Sequence, residues 1–232
     1  MSEKMIFKEL TSPTKRFIFY AISVFIAFFF IFWKFADELI EKELHKFDLT
    51  IIDWVQSFIS VKHTKLMELI TFLGSFKAVI WISILTIIIM ILNKKRWEAL
   101  FFLIAVLGCS FFNTILKWIF HRTRPTIHPI IQETGYSFPS GHSMVSFVMY
   151  GMLTYFLVLF FEKRSAKIIT IIFFSVLVLF IGLSRIYLGV HYPSDVIAGF
   201  SAGGAWLVIC LMFLKIILEI RSKRRKNNLE GT

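Results

Sequence analysis

Six long apolar stretches, at 17–35, 72–93, 99–116, 143–161, 168–183 and 196–218, leave this chain few ways to fold. A helix needs about 20 apolar residues to cross the hydrocarbon core of a bilayer, and a small soluble globule cannot hide several such stretches. The chain has 232 residues, 57% of them hydrophobic, against roughly 45–50% in soluble domains. The expected fold class is all-α: a polytopic membrane protein built as a six-transmembrane-helix bundle. It is expected to form a single membrane domain over residues 1–232, with a core at about 17–218 and a basic tail at 219–232. The second stretch carries Lys77 and the fifth is short, so hydropathy by itself also allows five spans.

The formal net charge of +11 raises the question of a nucleic-acid partner. Placement of the basic residues argues for no nucleic acid, because they sit between apolar blocks and not on one soluble face. Lys4, Lys8, Lys15 and Arg16 precede the first stretch, and Lys94, Lys95 and Arg96 separate the second from the third. Lys163, Arg164 and Lys167 separate the fourth from the fifth, and Arg221, Lys223, Arg224, Arg225 and Lys226 follow the sixth. By the positive-inside rule that side is cytoplasmic, which needs an even number of spans. The expectation is a multi-pass protein of the cell membrane with both termini cytoplasmic. The first stretch runs on into Trp33, Lys34 and Phe35 without a small-residue cleavage site, so it reads as an anchor and not a removed signal peptide. Residues 226–232 are polar and expected to fray. Cys109 and Cys210 fall inside apolar stretches and are expected to be buried and unpaired.

Between the first two spans, Ile40, Leu44, Phe47, Ile51, Trp54 and Phe58 recur at intervals of three and four, with Glu41, Lys42, Glu43, Lys46 and Asp53 on the other face. This pattern over 37–60 predicts an extracytoplasmic amphipathic helix or helix pair, lying on the outer membrane surface or packed as a cap on the bundle. Such a helix could guide a lipid, with Trp54 and Phe58 as a gate.

Pro125, Pro129, Pro139 and Pro193 and all six histidines, His45, His63, His121, His128, His142 and His191, lie on the outer side and outside the predicted spans. Irregular backbone and titratable side chains thus share one rim, where a bundle places its site. Lys117 and Arg124 stand at the outer end of the third span, a point charge and a planar fork suited to a cluster of anionic oxygens. Basic residues at a helix end also serve as plain interfacial anchors. In Ser137-Phe138-Pro139-Ser140-Gly141-His142-Ser143, Ser140 can cap the fourth span while unpaired amides bind an anion. Gly141 lets a phosphate approach the backbone, and His142 stands beside it as a proton donor. A Pro-Ser-Gly turn can also do no more than start a helix. The third cluster runs from Ser184-Arg185 through His191 to Asp195, a spacing that lets the carboxylate hold one imidazole nitrogen while the other faces a substrate. Arg185, at the polar edge of a membrane helix, needs an anionic partner.

These three clusters, in their order and spacing, resemble the signature of the type 2 phosphatidic acid phosphatases, and the six-span layout resembles the membrane branch of that family. The resemblance implies that His191 is a nucleophile forming a phosphohistidine, that Asp195 orients it and that His142 protonates the leaving alkoxide. Lys117, Arg124, Ser140, Gly141 and Arg185 would hold the phosphoryl group. The implied partners are the bilayer and a lipid phosphate: phosphatidic acid, phosphatidylglycerol phosphate or a polyprenyl diphosphate. The implied chemistry needs no cofactor and no metal, since fixed cations can neutralise the equatorial oxygens of a transferring phosphoryl group. The rivals are a metal-dependent hydrolase, which would collect several carboxylates, and a lipid transporter or flippase, or a non-catalytic lipid-binding relative. Transporters tend to place their charges at mid-membrane and to show repeats, and neither is found here.

Overall fold

Backbone amides have no water to bond inside hydrocarbon, so spanning segments satisfy them internally as helices. The computed structural model describes residues 10–230, and every regular element in that range is helical. The elements are α1 (Ser12–Ile40), α2 (His45–Gln56), α3 (Val61–Leu73), α4 (Phe76–Leu92), α5 (Arg96–Phe120), α6 (Gly141–Phe160), α7 (Arg164–Tyr187) and α8 (Pro193–Glu230). Lys4 and Lys8 lie outside the described residues, as do residues 231–232.

Five helices, α1, α5, α6, α7 and α8, are long and apolar enough to cross a membrane, and the sixth candidate is the pair α3 and α4, bent by 46°. The predicted second span falls on α4, which with α3 has the length and composition of a broken span or a re-entrant loop. Helix α4 has 17 residues, about 26 Å of rise against the ~30 Å hydrocarbon core. The break is built from Gly74 and Ser75, whose hydroxyl accepts from the Ala78 amide at 3.3 Å and starts α4. The protein is a multi-pass helical membrane protein.

Helix α8 runs through the centre of the bundle against α1, α5 and α6. Close approach requires glycine where it crosses α6: a Cβ at Gly203 would lie 2.7 Å from the Met144 carbonyl oxygen, and one at Gly199 2.7 Å from that of Ser140. Without a hydrophobic drive between helices in lipid, such backbone proximity supplies the packing. Gly203→Val should therefore lower the unfolding temperature in detergent, as overpacking costs about 1–3 kcal/mol. An unchanged melting curve would show that α6 and α8 part freely.

At one end of the bundle the Thr11 amide donates to Glu219 at 2.6 Å, and the Arg221 guanidinium lies 4.6 Å from the centre of the Trp97 ring. The connections 93–95 and 161–163 belong to the same end. The other end carries α2, the long connection 121–140 and the turn 188–192.

Three expectations change. Residues 226–230, expected to fray, are helical: α8 continues to Glu230, with no Gly or Pro between Gly204 and Gly231. His142 is not outside the spans but in the first turn of α6. The stretch 37–60 is not one amphipathic face: α1 absorbs residues to Ile40, and a turn at 41–44 follows. The stripe that α2 and its preceding turn bury is Leu44, Asp48, Ile52 and Val55, whereas Ile40, Trp54 and Phe58 are exposed. Helix α2 has apolar residues on two sides, and the side facing the protein was not the one with the aromatics.

Candidate active site

The site is built where three helix ends meet at the α2 side of the bundle. Ser140 caps α6, its hydroxyl accepting from the Ser143 amide at 3.4 Å and from the Ser143 hydroxyl at 3.0 Å. The Ser140 amide in turn donates to the Asp195 carbonyl at 3.0 Å, joining the second and third clusters directly. Pro193 opens α8, where its missing N–H costs nothing and its fixed φ suits a first turn. His191 sits in the preceding turn, with its amide directed at the Arg185 carbonyl at 3.3 Å. Gly189 makes that turn possible, having φ +73° and standing where a Cβ would meet the His128 carbonyl oxygen at 2.8 Å.

His191 is buried, with Nδ1 3.4 Å from Asp195 Oδ2 and Nε2 3.3 Å from Arg124 Nη1. Asp195 is also buried. Its Oδ2 accepts from the Tyr192 amide at 2.9 Å and from the Ser137 hydroxyl, which itself lies 3.4 Å from His191 Nδ1. The carboxylate thus holds the Nδ1 side of the ring and leaves Nε2 turned toward Arg124. Burial pushes the His191 imidazole down to about 4, against the upward pull of Asp195, so the ring is neutral at physiological pH.

The cations are arranged around Nε2. Arg124 donates to the carbonyls of Val190 at 2.9 Å, Gly135 at 3.1 Å and Thr134 at 3.2 Å, and Lys117 donates to the Tyr136 carbonyl at 2.7 Å. Arg185 donates to the Thr71 hydroxyl at 2.6 Å and to the Glu133 carboxylate, while its Nε is buried with no partner.

A cavity of about 370 Å³ opens onto Lys117 and Glu133 of this set. Lys117, Glu133, Gly141, His142 and His191 line its polar end, and it continues between α4 and α5 past Val79, Ile80, Leu103 and Leu107. Of the residues singled out in the sequence, Ser140 lies behind the cavity wall as a cap. Arg124 and Arg185 reach the site through His191 and Glu133. Trp54 and Phe58 border a different cavity, of about 230 Å³, with Met67 and Leu183, so they do not gate this one.

Sequence reasoning missed Glu133, Asn113, Ser137 and the pair Asp48 and Arg122. Glu133 is the anionic partner that Arg185 requires, and it also contacts Arg124 at 3.1 Å. Burial opposes its ionisation, but the Arg185 guanidinium and then the neighbouring histidines hold its carboxyl down at about 2. Asn113 props the Pro139–Gly141 turn by donating to the Pro139 carbonyl at 3.2 Å, with its own Oδ1 3.0 Å from where a Gly141 Cβ would stand. A polar residue inside an apolar stretch is the signal that could have found it. Among the described residues no three His, Cys, Asp or Glu side chains gather as a metal-ligand group.

Residues 98–217 match the PAP2 superfamily. Phosphatidylglycerophosphatase B of Bacillus subtilis (strain 168) is 36% identical over 161 residues, 68% of this chain and 79% of that protein. Undecaprenyl-diphosphatase of Sulfolobus acidocaldarius is 29% identical over 158 residues, 65% of this chain and 69% of that one. The crystal structure of a transmembrane PAP2-type phosphatidylglycerolphosphate phosphatase from Bacillus subtilis superimposes with a TM-score of 0.77 at 30% identity, covering 82% of this chain and 95% of that one. Since the matched region contains all three clusters and the helices that bring them together, the chain belongs to the PAP2 superfamily.

Proposed function

We propose that this chain is a membrane lipid phosphate phosphatase in which His191 carries the phosphoryl group between two half-reactions. His191 Nε2 attacks phosphorus and the bond to the lipid oxygen breaks as His142 protonates the leaving alkoxide. Water then attacks the phosphohistidine, His142 takes its proton, the N–P bond breaks and inorganic phosphate leaves. Lys117, Arg124, Arg185 and the Gly141 end of α6 hold the phosphoryl oxygens, and Asp195 keeps Nδ1 occupied. No metal is needed in this scheme, because fixed cations meet the charge of the transition state.

The observation that carries the reading is the cavity itself: a cationic, histidine-bearing end that continues into an apolar passage between α4 and α5. A phosphate site open only to water would need no such passage. Ile80, Leu103 and Leu107 on its walls are part-exposed on the apolar flank of the bundle, so acyl or polyprenyl tails would stay in the bilayer while the head group enters sideways. Relatives named as a phosphatidylglycerophosphatase and an undecaprenyl-diphosphatase support both phosphomonoesters and diphosphates of lipids as substrates to test.

Purified protein in chelator should release phosphate from phosphatidic acid, phosphatidylglycerol phosphate or a polyprenyl diphosphate. No release from any of these would overturn the function, and release only with added divalent metal would overturn the metal-free mechanism. Ser110, on the cavity wall, gives a sharper check: Ser110→Trp should slow turnover of long-chain substrates at least tenfold while sparing a short soluble phosphate ester. Equal loss on both would remove the passage from the reading.

The positive-inside pattern supports an extracytoplasmic site and cytoplasmic termini. A cysteine at Thr126 should be labelled in intact cells by an impermeant thiol reagent and one at Asn227 should not. The native Cys109 and Cys210 are buried and give little background. The reverse labelling would confine the enzyme to the cytoplasmic leaflet.

A further inference from the structure

Behind Asp195, on the side away from the cavity, lies a group of residues that the phosphoryl chemistry does not use. Arg122 extends its fork between two carboxylates: Nη1 donates to Asp195 Oδ1 at 2.6 Å and Nη2 to Asp48 Oδ2 at 2.6 Å. Nη1 also donates to the Ser194 hydroxyl at 2.7 Å. Asp48 is itself buried and fully engaged, accepting from the Ser194 amide at 2.9 Å and from the Ser194 hydroxyl at 2.8 Å. The guanidinium is flattened over the Tyr192 ring, 4.0 Å from its centre. Helix α2, the 121–140 connection and the first turn of α8 are thereby tied at one point.

This arrangement has an electrostatic consequence. A lone arginine on Asp195 would take most of that carboxylate's charge away from His191. A second carboxylate on the far arm of the fork offsets the guanidinium charge, so that Asp195 is held in orientation and still pulls on the imidazole. An arginine can hold two carboxylates in one plane in this way and a lysine cannot. Neither Asp48 nor Arg122 lines the cavity that holds the two histidines.

We propose that Asp48 and Arg122 are positioning residues, a clamp that fixes Asp195 against His191 and sets how strongly the carboxylate polarises the imidazole. The inference rests on His191 being the nucleophile. The charged and titratable groups around His191 are Arg124 and Glu133 from the 121–140 connection, Lys117 from α5, His142 from α6, Arg185 from α7 and Asp195 from α8. Of these only Asp195 touches Arg122, so the two clamp charges reach His191 through Asp195 and are separable from the rest.

The experiment is a pH series of kcat and kcat/KM on the full chain in detergent, using a short soluble phosphate monoester. Removing the negative charge in Asp48→Asn leaves Arg122 unbalanced, favours the neutral imidazole and should move the acid limb of kcat/KM down by about half a unit. Removing the positive charge in Arg122→Met should move it up by a similar amount. Ionisation of the substrate contributes equally to all variants and cancels in the comparison. Each variant should lose about tenfold in kcat with little change in KM, because a positioning group acts on the chemical step. The double variant should bring the limb back near its original place. Opposite shifts cannot come from general loosening of the fold; limbs that stay put, or move together, would overturn the clamp, as would a wild-type kcat. Should either single variant not stay folded, Arg122→Lys carries the test. It keeps the charge and loses the fork, so a reduced kcat with limb and KM unmoved supports the clamp, and a wild-type kcat overturns it. His191→Ala is assayed alongside: activity surviving there sinks the phosphohistidine reading, whereas a dead His191→Ala beside fully active clamp variants sinks only the clamp.

Discussion

His191→Ala is expected to lose turnover by a factor on the order of 10⁴ or more, with no phosphoenzyme trapped on acid-free quenching and no change in the folded fraction in detergent. The size of the effect follows from the geometry. Among the described residues His191 is the imidazole whose Nδ1 faces a buried carboxylate while its Nε2 faces Arg124. The remaining groups of the site can bind a phosphate, but a bound phosphate with no nucleophile hydrolyses only by direct attack of water. Burial sets the pH behaviour as well. Attack requires the free lone pair, and His191 is held at about 4, below the ordinary histidine value of about 6.5. Activity limited by this ring should persist through neutral pH and fall as pH drops toward 4, where protonation removes the lone pair. A fall centred near 6.5, shared by every substrate, would show that the imidazole is less enclosed than its surroundings imply. Substantial phosphate release by His191→Ala would remove it from the nucleophile's role.

The second large effect is expected at His142, and its signature is a dependence on the leaving group. His142 stands in the first turn of α6 on the wall of the same cavity, while the break between α3 and α4 presses against it: a Cβ at Gly74 would lie 3.4 Å from His142 Cδ2. From there it can deliver a proton to a departing alkoxide without competing for phosphorus. General acid catalysis contributes typically about 10²–10⁴-fold, so His142→Ala should lose that much on alkyl phosphates and lipid phosphates. With an aryl phosphate that leaves as a stable phenolate, protonation matters less and most of the loss should be recovered in the first half-reaction. Burst amplitude separates the halves: phenolate should still appear in a burst while phosphate release stays slow, since His142 is also needed to activate water. An equal loss on alkyl and aryl substrates would argue that His142 binds and does not transfer protons.

Glu133 bears on both results. Its carboxylate lies against Arg185 and Arg124, where a phosphoryl oxygen would be placed. Held ionised at about 2, it would compete with substrate for these arginines if they hold the phosphoryl oxygens as proposed. The half-reactions are best measured with this competition in mind, at saturating substrate.

The amino-acid sequence by itself determined the solvent, the helical class, the sidedness of the charges and the residues of the three clusters. Each of these is written locally: a span is a run of apolar residues, the expected orientation is read from which loops carry Lys and Arg, and Ser140 or Pro193 announces a helix start within a few residues. Tertiary structure decided whatever depends on two distant segments meeting. The region of the predicted second span is a bent helix pair, α3 and α4, because Gly74 and Ser75 interrupt it at a point that hydropathy does not see. The buried side of α2 could not be chosen from periodicity, since apolar residues occur on two of its sides and only contact with α7 and α8 selects the one holding Asp48. Glu133 looked like a loop acid until the 121–140 connection folded back and set it between two arginines. Arg122, an unremarked residue between the motif positions Lys117 and Arg124, meets Asp48 and Asp195 across 74 and 73 positions of chain. Charge pairs of that range leave no periodic trace, because their partners are chosen by the packing of whole helices and not by neighbours in sequence.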